Sequence, residues 1–228
     1  MFVINYLFTV SFVPGQSKGL ARAAWLSWSS RRCLKILGCT ADVAGDIPCR
    51  GLLVANHLSY VDIPTICATV PAVFVSKAEV RRWPVIGWLA SLGGTVFIER
   101  DRRTHVGAVN RKIQDALADG TLVVIFPEGT SSDGTDVLPF RASLLEPALR
   151  GGHEISVGWI HYQLTDGDAR QEVCYWGEHS FFSHFIHLLG KKSVRATLRF
   201  EKFQRTTDDR KELAKQLRAA VWKLKAKG

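Results

Sequence analysis

An α/β fold, one domain with a mostly parallel or mixed central sheet flanked by helices, is predicted by three features of the chain. Short apolar runs rich in β-branched residues recur along it, among them Leu52-Leu53-Val54 and Leu122-Val123-Val124-Ile125, and such runs read as strands buried on both faces. Segments with apolar residues at helical spacing lie between them. The 228 residues are 46% hydrophobic and 22% charged, which closes one sizeable core and is inconsistent with a disordered chain. Glycine and proline are scattered, and no internal repeat or low-complexity tract divides the sequence. Residues 1–40 read as an apolar and amphipathic membrane-associating segment, and 41–228 as the main domain.

Met1 to Val13 is almost wholly apolar and ends at Pro14-Gly15. A bilayer-spanning helix needs about 20 apolar residues, so this stretch is too short to cross. Its first basic residue, Lys18, follows the apolar run, whereas a signal peptide places positive charge ahead of it. Ala21 to Gly38 reads as an amphipathic helix, with Trp25, Leu26, Cys33, Ile36 and Leu37 on one side and Arg31 and Lys35 opposite. No acidic residue precedes Asp42. Apolar surface with uncompensated cations suits a helix lying on anionic lipid; the alternative is a helix docked on the protein's own core.

Strands are expected at Gly51 to Ala55, Ala72 to Ser76, Thr95 to Glu99, Leu122 to Phe126, Ile155 to Tyr162, Glu172 to Trp176 and Val194 to Phe203. The last carries Arg195 and Arg199 in alternation with apolar residues, so one of its sides faces water. Arg103 to Ala118 has Val106, Val109, Ile113, Ala116 and Leu117 at helical spacing and stops before Gly120, as a crossover between parallel strands does. Near the carboxyl terminus Leu213, Leu217, Ala220, Val221 and Leu224 mark another helix, with Thr207 as its cap and Asp208 and Asp209 in its first turn.

The chemistry-bearing residues sit where apolar runs end. His57 and Asp62, in Asn56-His57-Leu58-Ser59-Tyr60-Val61-Asp62, follow the first run. An imidazole accepts an alcohol proton at neutral pH when a second group holds its other nitrogen in the N–H form, and Asp62 is placed to be that group. Residues five apart do not share a helix face, so His57 belongs in a loop and Asp62 in the first turn of the next helix. Ser59 then reads as the N-cap, and Ser59-x-x-Asp62 as a capping box, which is the bland alternative for the carboxylate. Gly94-Thr95-Val96-Phe97-Ile98-Glu99-Arg100 and Phe126-Pro127-Glu128-Gly129-Thr130 close two more apolar runs. In an open α/β sheet the carboxyl ends of strands line a common crevice, so the three clusters converge if the strands are parallel neighbours; otherwise they are separate surface turns.

These three segments, in this order and at this spacing, resemble the motifs of the glycerolipid acyltransferases, a family that includes 1-acylglycerol-3-phosphate acyltransferase. The resemblance covers roughly residues 50 to 165, and Lys77-Ala78-Glu79-Val80 is similar to a lysine segment between the family's first two motifs. It implies an enzyme that moves a fatty acyl group from a thioester of coenzyme A or acyl carrier protein to the free hydroxyl of a lysolipid, with His57 as general base and Asp62 orienting it. It also implies that Lys77 and Arg100 hold the acceptor's anionic head group, a task suited to arginine's planar donors. Glu128, Gly129 and Thr130 would shape the acceptor pocket, Gly129 by letting backbone N–H groups approach closely. The acceptor alcohol would attack the thioester directly; no protein nucleophile is needed, and the chain has no G-x-S-x-G elbow.

Two departures bear on the acceptor. The family's third motif commonly continues with arginine after Thr130, whereas Ser131-Ser132-Asp133-Gly134 follows here. The fourth, a short apolar strand carrying proline, is best matched by Ile155 to Ile160, with Ser156 at the proline position. The continuation through Val137-Leu138-Pro139-Phe140-Arg141 resembles a branch that acylates lyso-ornithine lipid. A catalytically inactive lipid-binding protein is the alternative of another class, weighed against by a base beside a carboxylate.

The formal net charge of +9 admits nucleic acid as a partner, but the chain has no zinc-finger spacing and no RNP-like motif. A membrane surface accounts for the charge and the aromatics together. Five cysteines, an odd number without C-x-x-C spacing, indicate reduced thiols and the cytoplasmic side of a membrane. No metal or redox cofactor is implied: His184 and His187 are i and i+3 but flanked by apolar residues, which favours packing, and His153-Glu154 lacks the second histidine of a zinc protease motif. Trp83 and Trp88 are read as core by default.

Overall fold

The computed structural model describes residues 2–13, 18–83, 86–98, 106–149 and 152–227. Seven strands form one sheet in the order β1-β7-β6-β2-β5-β3-β4: β1 (Cys39–Gly45), β2 (Leu52–Ala55), β3 (Ala72–Lys77), β4 (Val96–Ile98), β5 (Leu122–Ile125), β6 (Ile155–Leu164) and β7 (Val194–Phe203). Every neighbouring pair is parallel except β6 with β7. β2 and β5 are buried at every position, as expected where helices cover both faces of parallel strands.

Alternate residues of the strands enter two cores. Leu53, Phe74 and Val124 pack with residues of α1 (Phe2–Val10), α2 (Lys18–Ile36), α3 (Asp62–Thr69) and α8 (Phe181–Leu189). Leu52, Val54, Val73 and Val123 pack on the other side against α5 (Val106–Ala118), α6 (Glu146–Leu149) and α9 (Arg210–Ala226). Two further short helices, α4 (Ile86–Leu92) and α7 (Ala169–Glu172), complete the first layer.

The structure revises several sequence expectations. The helix read as lying on lipid, α2, is docked on the domain: Trp25, Leu26 and Leu34 are in the core, and Ser27, Ser29 and Ser30 are buried as well. These small hydroxyl residues, in and just after the segment that holds the two tryptophans, allow the close approach to α3 that the amphipathic reading did not anticipate. Glu172 to Trp176 is no strand. Asp168 caps α7 by accepting from the Arg170 N–H at 2.9 Å, and the chain then turns so that Val173 and Cys174 enter the core. The cap of α9 is Asp209, which accepts from the N–H groups of Lys211 and Glu212 at 2.8 and 2.7 Å; Thr207 instead accepts from the Asp209 N–H. Among the described residues no helix is long and apolar enough to cross a membrane.

Candidate active site

Because β2, β3, β4 and β5 are mutually parallel, their carboxyl ends share one edge of the sheet. The Asn56 side chain ties the chain leaving β2 to β6: its Nδ2 donates to the Ile160 carbonyl at 3.0 Å, and its Oδ1 accepts from the Ile160 N–H at 2.8 Å. His57 is thereby fixed at the mouth of the strand, in a loop. Asp62 is in the first turn of α3.

The His57 Nδ1–H donates to Asp62 Oδ2 at 2.7 Å. The same oxygen accepts the backbone N–H groups of Leu58 and Ser59 at 2.7 and 3.0 Å, while Oδ1 accepts from the Tyr162 hydroxyl at 2.8 Å. Asp62 is fully buried, and these four donors satisfy a carboxylate that burial alone would disfavour. The Ser59 hydroxyl caps nothing and has no hydrogen-bond partner, so the carboxylate half of the expected capping box forms without the serine half. With Nδ1 committed to Asp62, Nε2 is the ring nitrogen left with a lone pair, and the ring is stacked on Phe126 with centroids 4.2 Å apart.

His57 faces a cavity of about 200 Å³ whose walls include Tyr60, Phe74, Trp83, Phe126 and Tyr175. Lys77, Gly129 and Thr130 also line it. Gly129 has φ +72, a left-handed conformation that favours glycine and turns the chain back after β5. Glu128 is placed differently from the expectation. It does not line the cavity; its buried carboxyl accepts the backbone N–H groups of His57 and Leu138 at 3.0 and 3.3 Å. It therefore braces the loop that carries His57 against the segment after β5. Burial is the main cause that pushes the Glu128 carboxyl up to about 8, with Asp62 nearby adding to it. Arg100 lies outside the described residues. The structure thus brings His57, Lys77, Gly129 and Thr130 around one cavity and sets Asp62, bonded to the His57 ring, and Glu128, bonded to the His57 backbone, behind it.

Sequence reasoning did not find Tyr162 as a partner of Asp62, because it lies 100 residues away in an apolar strand with nothing local to mark it. Nor did it find the aromatic wall. Tyr60 donates its hydroxyl to His184 Nδ1 at 2.9 Å, and since the Cys174 carbonyl only accepts, His184 donates to it through Nε2–H at 3.2 Å. His184 is thus a buried connector, and burial holds its pKa below the ordinary histidine range. Trp83, which core packing would have hidden, lines the cavity and packs on Phe181 at 4.7 Å. Among the described residues no group of three or more His, Cys, Asp or Glu side chains is placed to hold a metal ion.

A family model described as Acyltransferase matches residues 46–157. Over 214 residues the chain is 35% identical to the lyso-ornithine lipid O-acyltransferase of Pseudomonas aeruginosa, covering 92% of this chain and 81% of the relative. It is 37% identical over 124 residues to the 1-acyl-sn-glycerol-3-phosphate acyltransferase of Neisseria gonorrhoeae, covering 54% of this chain and 49% of that protein. The crystal structure of the 1-acyl-sn-glycerophosphate acyltransferase PlsC from Thermotoga maritima superposes with a TM-score of 0.67 at 23% identity, over 99% of this chain and 89% of that one. This last likeness is one of fold.

Proposed function

The chain belongs to the acyltransferase family, and from that premise we propose that it is a lysolipid O-acyltransferase taking its acyl group from a thioester of coenzyme A or acyl carrier protein. The observation that carries the reading is the 2.7 Å His57–Asp62 pair at an apolar cavity. In the proposed step His57 Nε2 takes the proton of the acceptor hydroxyl as its oxygen attacks the thioester carbonyl. The tetrahedral intermediate then collapses, the C–S bond breaks, and the departing thiolate receives the proton from the imidazolium. Products are the acylated lipid and the free thiol of the carrier. Asp62 keeps the ring oriented and stabilises its positive charge, in the role a carboxylate plays toward histidine in hydrolase triads. Lys77, Arg100, Gly129 and Thr130 are assigned to the acceptor, and no metal or redox cofactor enters the step.

One candidate acceptor is 1-acyl-sn-glycerol-3-phosphate. Lyso-ornithine lipid is favoured by two observations: the relative matched over 92% of this chain bears that name, and Ser131, not arginine, follows Thr130, with its hydroxyl hydrogen-bonded to the Tyr175 carbonyl. We further propose that the protein works at the cytoplasmic surface of a membrane. Supporting this, Ile4, Leu7 and Phe8 of α1 and Phe182 and Ile186 of α8 are exposed on the layer that holds the cavity.

The test is thiol release by purified protein from acyl-CoA or acyl carrier protein thioesters, with 1-acyl-sn-glycerol-3-phosphate, other lysophospholipids and lyso-ornithine lipid as acceptors. His57→Ala is expected to lower kcat by about 10²–10⁴-fold while vesicle binding persists. Equal rates for the two proteins would overturn the mechanism and leave a lipid-binding protein.

A further inference from the structure

We infer that a second, basic groove at the β3–β4 edge binds the phosphate-bearing end of a ligand whose other end reaches the His57 cavity. The groove has a volume of about 460 Å³ and gathers Arg22 of α2, Arg81 of the 3-10 turn Ala78–Arg82, and Lys112 of α5, with Gly94 and Thr95 between them in sequence. Among the described residues none of these cations forms an ion pair, whereas Arg50, Arg170, Arg195, Arg210 and Arg218 each pair with an acid. Asp119, which lies beside Gly19 in the groove, pairs with none of them. Three like charges from three separate elements give the groove a positive potential that attracts an anion.

A second observation points the same way. The Arg22 Nε is buried and has no hydrogen-bond partner, an arrangement that native structures rarely keep without a ligand or water to satisfy it. The arginine is held there: its stem packs over Gly94, where an added Cβ would stand 3.4 Å from Arg22 Cδ and where φ is +84. Arg81 lies over the Phe97 ring at 5.9 Å. Planar guanidinium donors match phosphate oxygens in pairs, which gives the chemical class of the ligand.

The groove adjoins the catalytic cavity across the 3-10 turn. Val80 lines the cavity, and the next residue, Arg81, lines the groove. A nucleotide thioester has its reacting carbonyl at one end of a flexible arm and phosphates at the other, so it can lie across this turn with the carbonyl beside His57. A phosphate-bearing lipid head group presents the same chemistry from a membrane. The inference rests on the proposed function for its link to catalysis, but phosphate binding is measurable without turnover.

The experiment uses the full chain with Arg22→Gln, Arg81→Gln and Lys112→Gln, and Lys202→Gln on β7 as a charge-matched control. Coenzyme A affinity is read by calorimetry, KM is compared for acyl-CoA and for the phosphate-free acyl-N-acetylcysteamine, and binding is measured to vesicles with and without phosphatidate. Each groove variant is expected to raise the coenzyme A Kd and the acyl-CoA KM about tenfold, less in high salt, with acyl-N-acetylcysteamine and the control unchanged. Loss confined to phosphatidate vesicles would assign the groove to a lipid head group and still support it. Variants equal to wild type in all three assays overturn it. Arg81 and Lys112 are exposed, so their variants keep the test open if Arg22→Gln folds poorly. A wild type without turnover on any acceptor that still binds coenzyme A would sink the proposed function and not the groove.

Discussion

The two faces of the sheet solve different problems. On one, α9 lays Leu213, Leu217, Val221 and Leu224, all under 4% exposed, onto β6 and its neighbours, and of its large apolar side chains only Trp222 is markedly exposed. On the other, buried polar groups take part in the packing: Asp62, Thr65, Tyr162 and His184 are hydrogen-bonded within the layer. That layer also leaves large apolar side chains outside, including Phe8 at 76% and Phe182 at 72% exposure. One face is closed chiefly by hydrophobic packing, with polar contacts such as Arg218 to the Val137 carbonyl and Arg210 to Glu146 at its margin. The other trades part of that closure for an oriented base, a cavity and an exposed apolar exterior.

The two faces should differ most strongly in their response at Asp62. Asp62→Asn keeps the shape but replaces an acceptor with a donor facing backbone N–H groups, so His57 loses its orientation. A fall in kcat of about 10³–10⁴-fold is expected, read in steady-state assays alongside circular dichroism. Activity within tenfold of wild type would remove Asp62 from the mechanism. The opposite face should answer in stability instead. Leu217→Ala is expected to cost about 2–5 kcal/mol in denaturant titration, with kcat per folded molecule unchanged; a kcat loss at full folding would show that the two faces are coupled.

Glu128 joins the site to the fold through pH. Its folded-state value, about 8, lies above that of an unfolded glutamate at about 4.3, so the native protein holds a proton the unfolded chain has released. Its contribution is therefore fullest below about pH 4, declines as pH rises toward 8, and is flat above. About 5 kcal/mol of stability should be lost across that window, and Glu128→Gln should lack that part of the slope; matching slopes in the two proteins would refute the raised pKa. The smallest effect concerns the exteriors. Phe182→Ser with Ile186→Ser should weaken partition onto anionic vesicles by roughly tenfold or more, whereas Trp222→Ser should leave it unchanged. Equal losses from both would erase the asymmetry.

Much of this is legible in the chain because strand ends are chemically abrupt. The fully apolar runs of β2 and β5 announce buried parallel strands, and the polar residues that follow have no place in a core, which singles out His57 and Gly129. β1 escapes notice because it is an edge strand, exposed over Asp42 to Gly45, and so carries no apolar run. α2 was misread because its tryptophans and cations have the same spacing whether the apolar side meets lipid or protein. The sequence by itself settled the strand–helix alternation, the catalytic-looking pair and its loop, since these follow from local periodicity and side-chain chemistry. Long-range packing set the rest: Tyr162 donates to Asp62, Glu128 braces the His57 backbone rather than lining the cavity, and α2 packs one side onto the domain. Each is a contact between distant segments, fixed by which strands become neighbours and which face of the pleat a residue takes.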